Sequence, residues 1–142
     1  MKSRHRIALV TGSASGIGLS CVTALLKKGY QVAMNDLTEP KLVNALELLK
    51  IADLATESNC MTVSADITDS VAVKQMFGQI EETLGAVDIL VNNAGISGGR
   101  KKLVEISEEE WDRMMCANLR GMFLCSREAL PHMYEQKWGR VV

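Results

Sequence analysis

Eight residues near the start of the chain limit what it can become. Thr11-Gly12-Ser13-Ala14-Ser15-Gly16-Ile17-Gly18 follow an apolar run, Arg6 to Val10, and precede a stretch of helical periodicity. A run that short and that apolar predicts a strand buried on both faces. Gly16 to Lys28 predicts a helix with an apolar stripe of Ile17, Cys21, Ala24 and Leu25, stopped by Gly29. Glycines between the two allow a sharp reversal, close approach of backbone to a ligand, and tight packing of helix on strand. The free N–H groups and positive dipole end at such a helix start suit a diphosphate. The spacing is G-x-x-x-G-x-G, and no Gly-Lys-Ser/Thr follows, which excludes a P-loop.

The alternation continues along the chain. Gln31 to Asn35 predicts a second strand, and Pro40 suits the first turn of a helix through Leu42, Ala45, Leu46, Leu49 and Ala52. Met61 to Ala65 predicts a third strand. Thr68 or Asp69 caps the next helix, with Val73, Met76, Phe77, Ile80 and Leu84 at helical spacing. Val87 to Val91 predicts a fourth strand. Ser107 and Glu110 have the spacing of a capping box, opening one long helix from about Glu108 to Gln136. Gly139 to Val142 reads as the start of a fifth strand. Strands alternating with helices predict an α/β fold: a Rossmann-like doubly wound parallel sheet, truncated within its fifth strand, with residues 1–142 in one domain.

Composition narrows the partners. Hydrophobic residues make up 47% of the chain and the formal net charge is -1. That supports a packed core and gives no electrostatic reason to expect nucleic acid or an anionic membrane. Cys21, Cys60, Cys116 and Cys125 are scattered, which speaks against a zinc site or a disulfide framework and predicts buried free thiols in a reducing compartment. The first apolar run is too short for a signal peptide, and no stretch approaches a membrane span. A soluble cytoplasmic protein is the expectation.

Asp36 follows the second strand, about 20 residues beyond the glycines. A carboxylate there accepts hydrogen bonds from an adenosine ribose and opposes a 2′-phosphate. Two like charges at about 4 Å repel by up to roughly 4 kcal/mol at an effective dielectric of 20. Ser15 and Leu37, the neighbours where a compensating charge would stand, are neutral. The expected coenzyme is therefore NAD, with NADP disfavoured.

Thr11-Gly12 through Gly16-Ile17-Gly18 resembles the TGxxxGIG signature of short-chain dehydrogenase/reductases. Asn92-Asn93-Ala94-Gly95 resembles that family's NNAG motif, Asp66-Ile67 its adenine-contacting pair, and Asn118-Leu119-Arg120-Gly121 its N-x-x-G element. The resemblance implies that Gly12, Ser15, Gly16, Ile17 and Gly18 hold the diphosphate and that Asp36 holds the ribose. It further implies that the Asp66 side chain and Ile67 backbone hold adenine, and that Asn93, Ala94 and Gly95 line the nicotinamide ribose. Asn92 would steady the sheet. Asn118 would be the catalytic asparagine, organising a proton-relay water. Asn118 also stands out physically: Met114, Met115, Ala117, Leu119, Met122, Phe123 and Leu124 surround it, and a buried amide there needs partners.

The implied activity is hydride transfer between NAD and an alcohol or carbonyl compound, in a homodimer or homotetramer. The family's tyrosine, the lysine four residues after it, and its serine are expected beyond strand five. Tyr134-Glu135-Gln136-Lys137 has the wrong spacing, with Trp138 at the fourth position. His5, His132 and Tyr30 read as surface or packing residues, and Cys125 with the methionines of the long helix as core or interface. The alternative is an NAD-binding short form without turnover. A methyltransferase using S-adenosylmethionine also carries such a turn and acid, but the NNAG and N-x-x-G elements disfavour it.

Overall fold

The computed structural model describes residues 5–142. Its elements are β1 (Ile7–Val10), α1 (Gly16–Lys27), β2 (Gln31–Asp36), α2 (Glu39–Ile51), β3 (Cys60–Ser64), α3 (Ser70–Thr83), β4 (Ile89–Val91), α4 (Glu108–Met115), α5 (Gly121–Glu135) and β5 (Arg140–Val141). The strands pair in parallel in the order β3-β2-β1-β4-β5. The fold is the doubly wound α/β sheet expected from the alternation.

The pleat explains why β1 is apolar throughout. Ile7 and Leu9 join the core with Val73, Met76 and Ile80 of α3 and Leu124, Cys125 and Ala129 of α5. Ala8 and Val10 point the other way, into the core with Val22 and Leu26 of α1 and Leu42, Ala45 and Leu49 of α2. Each fully buried Leu or Ile stabilises the fold by about 1.5–3 kcal/mol. Tyr30 packs against this second core, as its position after α1 predicts.

Three expectations need correction. The buried stripe of α1 is Gly18, Val22 and Leu26; Ile17 is 76% exposed and Ala24 is also exposed. The tight seat of Gly18 sets the helix's rotation, and that rotation turns Ile17 outward. Second, the long helix runs from Glu108 to Glu135 as expected but is not α-helical throughout. A π-helical turn, Cys116–Arg120, separates α4 from α5. Third, Asn118 is exposed rather than buried among the methionines. Trp111, Met115, Leu119, Met122 and Phe123 are exposed on the same stretch, so this face belongs to the surface of the chain.

Caps follow the sequence closely. Asp69, not Thr68, caps α3 by accepting from the Val71 N–H at 2.8 Å. Ser107 accepts from the Glu110 N–H at 3.2 Å, and Glu110 accepts from the Ser107 N–H at 3.0 Å. The Lys101 ammonium, then the Ser107 amide, hold the Glu110 carboxyl below its ordinary range.

At the amino ends of the strands, Asp88 is fully buried. Its carboxylate accepts from the Ile7 N–H at 3.0 Å, Gln136 Nε2 at 2.7 Å and Arg6 Nη1 at 3.3 Å. His132 Nε2 lies 3.4 Å away. Arg6 also stacks on Trp138, 3.8 Å from the ring centroid. His132 thus has a carboxylate partner 44 residues away in sequence, in a cluster that ties β1, β4 and α5 together. No described helix is long and apolar enough to cross a membrane.

Candidate cofactor site

Helices α1 and α2 cover one face of the sheet and α3 and α5 the other, so the winding reverses between β1 and β4. Crevices at such a switch point, outside the carboxyl ends of the strands, are where open α/β sheets bind ligands. A cleft of about 580 Å³ lies there. Gly12, Ser15, Gly16 and Ile17 line it from the turn after β1, Asp36, Leu37, Thr38 and Lys41 from the end of β2 and start of α2, Asp66 and Ile67 from beyond β3, and Asn93, Ala94 and Gly95 from beyond β4. Of the site residues expected from the sequence, Gly18 and Asn118 do not line it.

Each glycine of the turn has its own reason. Gly18 faces protein: a Cβ there would sit 2.3 Å from the Gly12 carbonyl oxygen and 2.6 Å from Asn93 Nδ2. Gly16 is the opposite case, with φ +55° and nothing within 4 Å of an added Cβ. That open backbone at the start of α1 faces the cleft and lets a bulky anion come close to the helix N-terminus. A dinucleotide fits this arrangement, and the test is the free space over Gly16 opposite a fixed carboxylate.

Asp36 is that carboxylate. Its Oδ1 accepts from the Leu37 N–H at 2.8 Å and its Oδ2 from the Ala14 N–H at 3.3 Å. Two backbone donors fix its orientation, and each oxygen keeps a lone pair for a ligand hydroxyl. Asp66 Oδ1 accepts from the Thr68 N–H at 2.8 Å and the Thr68 hydroxyl at 2.7 Å. Ile67 buries its side chain to 8% exposure and packs on Gly121, where a Cβ would meet Ile67 Cδ1 at 2.6 Å. The glycine of the N-x-x-G element therefore makes room for the residue that follows Asp66.

The two glycine-rich motifs are locked together. Asn93 Nδ2 donates to the carbonyls of Thr11 at 3.0 Å and Gly12 at 2.9 Å. Thr11 Oγ1 in turn accepts from the N–H groups of Asn93 at 3.1 Å and Ala94 at 3.0 Å. Asn118 makes a similar clamp on the loop that follows: its Oδ1 accepts from the Ile96 N–H at 2.7 Å, and its Nδ2 donates to the Ile96 carbonyl at 2.8 Å. A Cβ on Gly95 would sit 2.9 Å from that Oδ1. Asn92 donates to Ser126 Oγ at 3.4 Å and its backbone N–H to the Val142 carbonyl at 2.8 Å, linking β4, α5 and the strand beside it.

Four supporting residues are not evident from the sequence. Thr11, Ser13 and Asn35 are buried polar groups. Ser13 bonds the Asn35 carbonyl, and Asn35 Nδ2 donates to Val63 and Ala65 carbonyls, both at 3.2 Å. Their signal, a polar residue within or next to an apolar strand, is present but ambiguous. Lys41, the fourth, is the single basic residue on the cleft wall among the described residues. Tyr134 is 73% exposed near the carboxyl end of α5 and does not line the cleft.

A doubly wound parallel sheet with an open glycine turn at its switch point defines a Rossmann-like α/β protein. The chain belongs to the short chain dehydrogenase family, whose sequence model matches residues 6–142. It is 38% identical over 139 residues to 2-(R)-hydroxypropyl-CoM dehydrogenase of Xanthobacter autotrophicus, covering 96% of this chain and 54% of that protein. It is 35% identical over 136 residues to the 3-oxoacyl-[acyl-carrier-protein] reductase FabG of Staphylococcus aureus, covering 95% and 53%. The solved structure of gox2181 matches with a TM-score of 0.89 at 34% identity, over 98% of this chain and 52% of that one. The chain spans about half the length of the curated relatives it matches.

Proposed function

We propose that residues 1–142 form the NAD-binding portion of an oxidoreductase that moves hydride between the nicotinamide and an alcohol or carbonyl carbon of a small molecule. The observation that carries this reading is the open, positive-φ turn at Gly16, set at the mouth of α1 and facing the fixed carboxylate of Asp36. The relatives named above are a dehydrogenase and a reductase, which supports the reaction type and leaves its direction to the substrate.

Backbone N–H groups from Gly12 to Gly18 hold the diphosphate in this reading. Asp36 takes the ribose hydroxyls, and its charge opposes a 2′-phosphate. Asp66, with one oxygen committed to Thr68, offers the other to the adenine amino group, and the Ile67 backbone completes that pocket. Ala94 and Gly95 line the nicotinamide ribose. Asn118 commits its amide to Ile96, so it shapes the loop at the reacting end of the cleft. When bound, the coenzyme supplies the hydride chemistry. Neither Tyr30 nor Tyr134 has a lysine four positions on, and neither lines the cleft.

Calorimetric titration of the whole polypeptide tests the reading. NAD is expected to bind more tightly than NADP, and Asp36→Asn to shrink that preference by at least tenfold, equivalent to about 1.4 kcal/mol. No affinity for either coenzyme would overturn the proposal. Tighter binding of NADP by the unaltered protein would overturn the role given to Asp36.

A further inference from the structure

The turn that aims Asp66 is held by a residue that does not itself line the cleft. Asp66 to Asp69 form a tight turn in which the Asp69 N–H donates to the Asp66 carbonyl at 3.2 Å. Asp66 Oδ1 accepts from both the N–H and the hydroxyl of Thr68. These bonds are local and lie near the surface, with Asp66 exposed and Thr68 half-buried. Bonds open to water contribute little order by themselves, because water competes for the same groups. A further tie comes from far along the chain. Arg120 Nη1 donates to the Thr68 carbonyl, across 52 residues of sequence.

Arg120 is the last residue of the π-helical turn Cys116–Arg120. A π turn closes on the fifth residue rather than the fourth, so its side chains leave at angles an α-helix does not offer. Several of them meet the cleft or its walls. Asn118 clamps Ile96 beyond β4, and Ala117 lines the cleft. Gly121 follows directly and seats Ile67. Arg120 and Gly121 therefore act on the same short loop beyond β3: the glycine admits the Ile67 side chain, and the arginine holds the carbonyl of the next residue. The planar guanidinium presents its donors in a fixed fork, so a bond to it orients the peptide group it meets.

We propose that Arg120 is a positioning residue for the adenine end of the cleft. By holding the Thr68 carbonyl it fixes the Asp66–Asp69 turn, and with it the direction in which the second oxygen of Asp66 meets the adenine amino group. Arg120 does not line the cleft and acts without touching the coenzyme. This inference rests on the coenzyme reading above.

The test compares NAD with nicotinamide hypoxanthine dinucleotide, which has a carbonyl oxygen where adenine has its amino group and so cannot donate to a carboxylate there. Both are titrated calorimetrically into the whole polypeptide. The proteins compared are the unaltered form, Arg120→Met, Arg120→Lys, Asp66→Ala, and Asp66→Ala combined with Arg120→Met. The unaltered protein is expected to prefer NAD by about tenfold, as for one charge-assisted hydrogen bond. Arg120→Met should shrink that preference to about threefold or less by weakening NAD, with the hypoxanthine dinucleotide held within about twofold. Arg120→Lys, which keeps a donor, retains most of the preference. In the Asp66→Ala background, adding Arg120→Met should change neither affinity beyond about twofold, since the group it positions is gone. A merely structural arginine would instead weaken both dinucleotides equally. That result, or an unchanged preference in Arg120→Met, overturns the Arg120 proposal and leaves the coenzyme reading standing. Equal binding of both dinucleotides by the unaltered protein overturns it too, together with the role given to Asp66. If the unaltered protein binds neither, the coenzyme reading itself fails.

Discussion

Cys60 and Cys125 are buried, while Cys21 and Cys116 are partly open to solvent. Burial pushes the Cys60 thiol from the usual 9.0 to about 11 and Cys125 to about 12. Their folded-state values lie above the unfolded ones. The stability they contribute is therefore complete below pH 9 and is lost as pH rises through the folded values. The melting temperature is expected to fall between about pH 9 and pH 12, and substituting both by alanine or valine should flatten that slope. At pH 8, a thiol reagent should label Cys21 and Cys116 first; equal rates at all four sites would contradict the burial. Gly18 gives a second expectation at this scale. An alanine there collides with backbone of Gly12 and Ser13. Gly18→Ala should cost about 1–3 kcal/mol, read as a shift in urea midpoint, with a loss of NAD affinity. Gly78 in α3 has nothing within 4 Å of an added Cβ, so Gly78→Ala should stabilise by about 0.5–1 kcal/mol in the same assay. The sequence marked Gly18 as necessary, but the reason, contact with Gly12 and with Asn93, appears only in three dimensions.

Among the elements, the π-helical turn Cys116–Arg120 is the least legible from sequence, because its apolar periodicity continues without a break into the helices on either side. Such bulges occur often at functional sites. Here the turn presents Asn118 to Ile96, and Gly121 follows it immediately. Gly121→Ala should push Ile67 towards the cleft and weaken NAD binding several-fold. Ile67→Val in the same chain removes the Cδ1 methyl that the new Cβ meets and should restore some of the affinity. Affinities that simply add across this double-mutant cycle would show that the two residues do not communicate. Element identity and order were readable because parallel strands buried on both faces are continuously apolar and their crossover helices are amphipathic. The rotation of α1 was not, since Ile17 and Val22 are equally apolar and only packing tells them apart.

For the molecule as a whole, two surfaces govern behaviour in solution. Trp111, Leu119, Met122 and Phe123 expose apolar area along one side, with Leu103 at 77% and Val104 at 90% exposure near them. Strand β5 has β4 as its only neighbour among the described residues, so its outer edge is unpaired. Produced as these 142 residues, the chain is expected to self-associate at micromolar concentration and to bind NAD weakly. A monodisperse monomer by light scattering with a cooperative melt would contradict this. What the sequence determined by itself was the β-α alternation, the two glycine motifs, the caps and the acid after β2. These depend on local backbone geometry, on periodicity, or on a short span of chain. Tertiary structure alone decided that Asn93 locks the first turn, that Gly121 seats Ile67, that His132 meets Asp88, and that Lys41 shares a wall with Asp36. Each of the first three joins groups tens of residues apart, and the fourth sets the first turn of α2 and the end of β2 on one cleft. Such contacts arise when the sheet brings the strand ends together, and no local pattern in the chain encodes them.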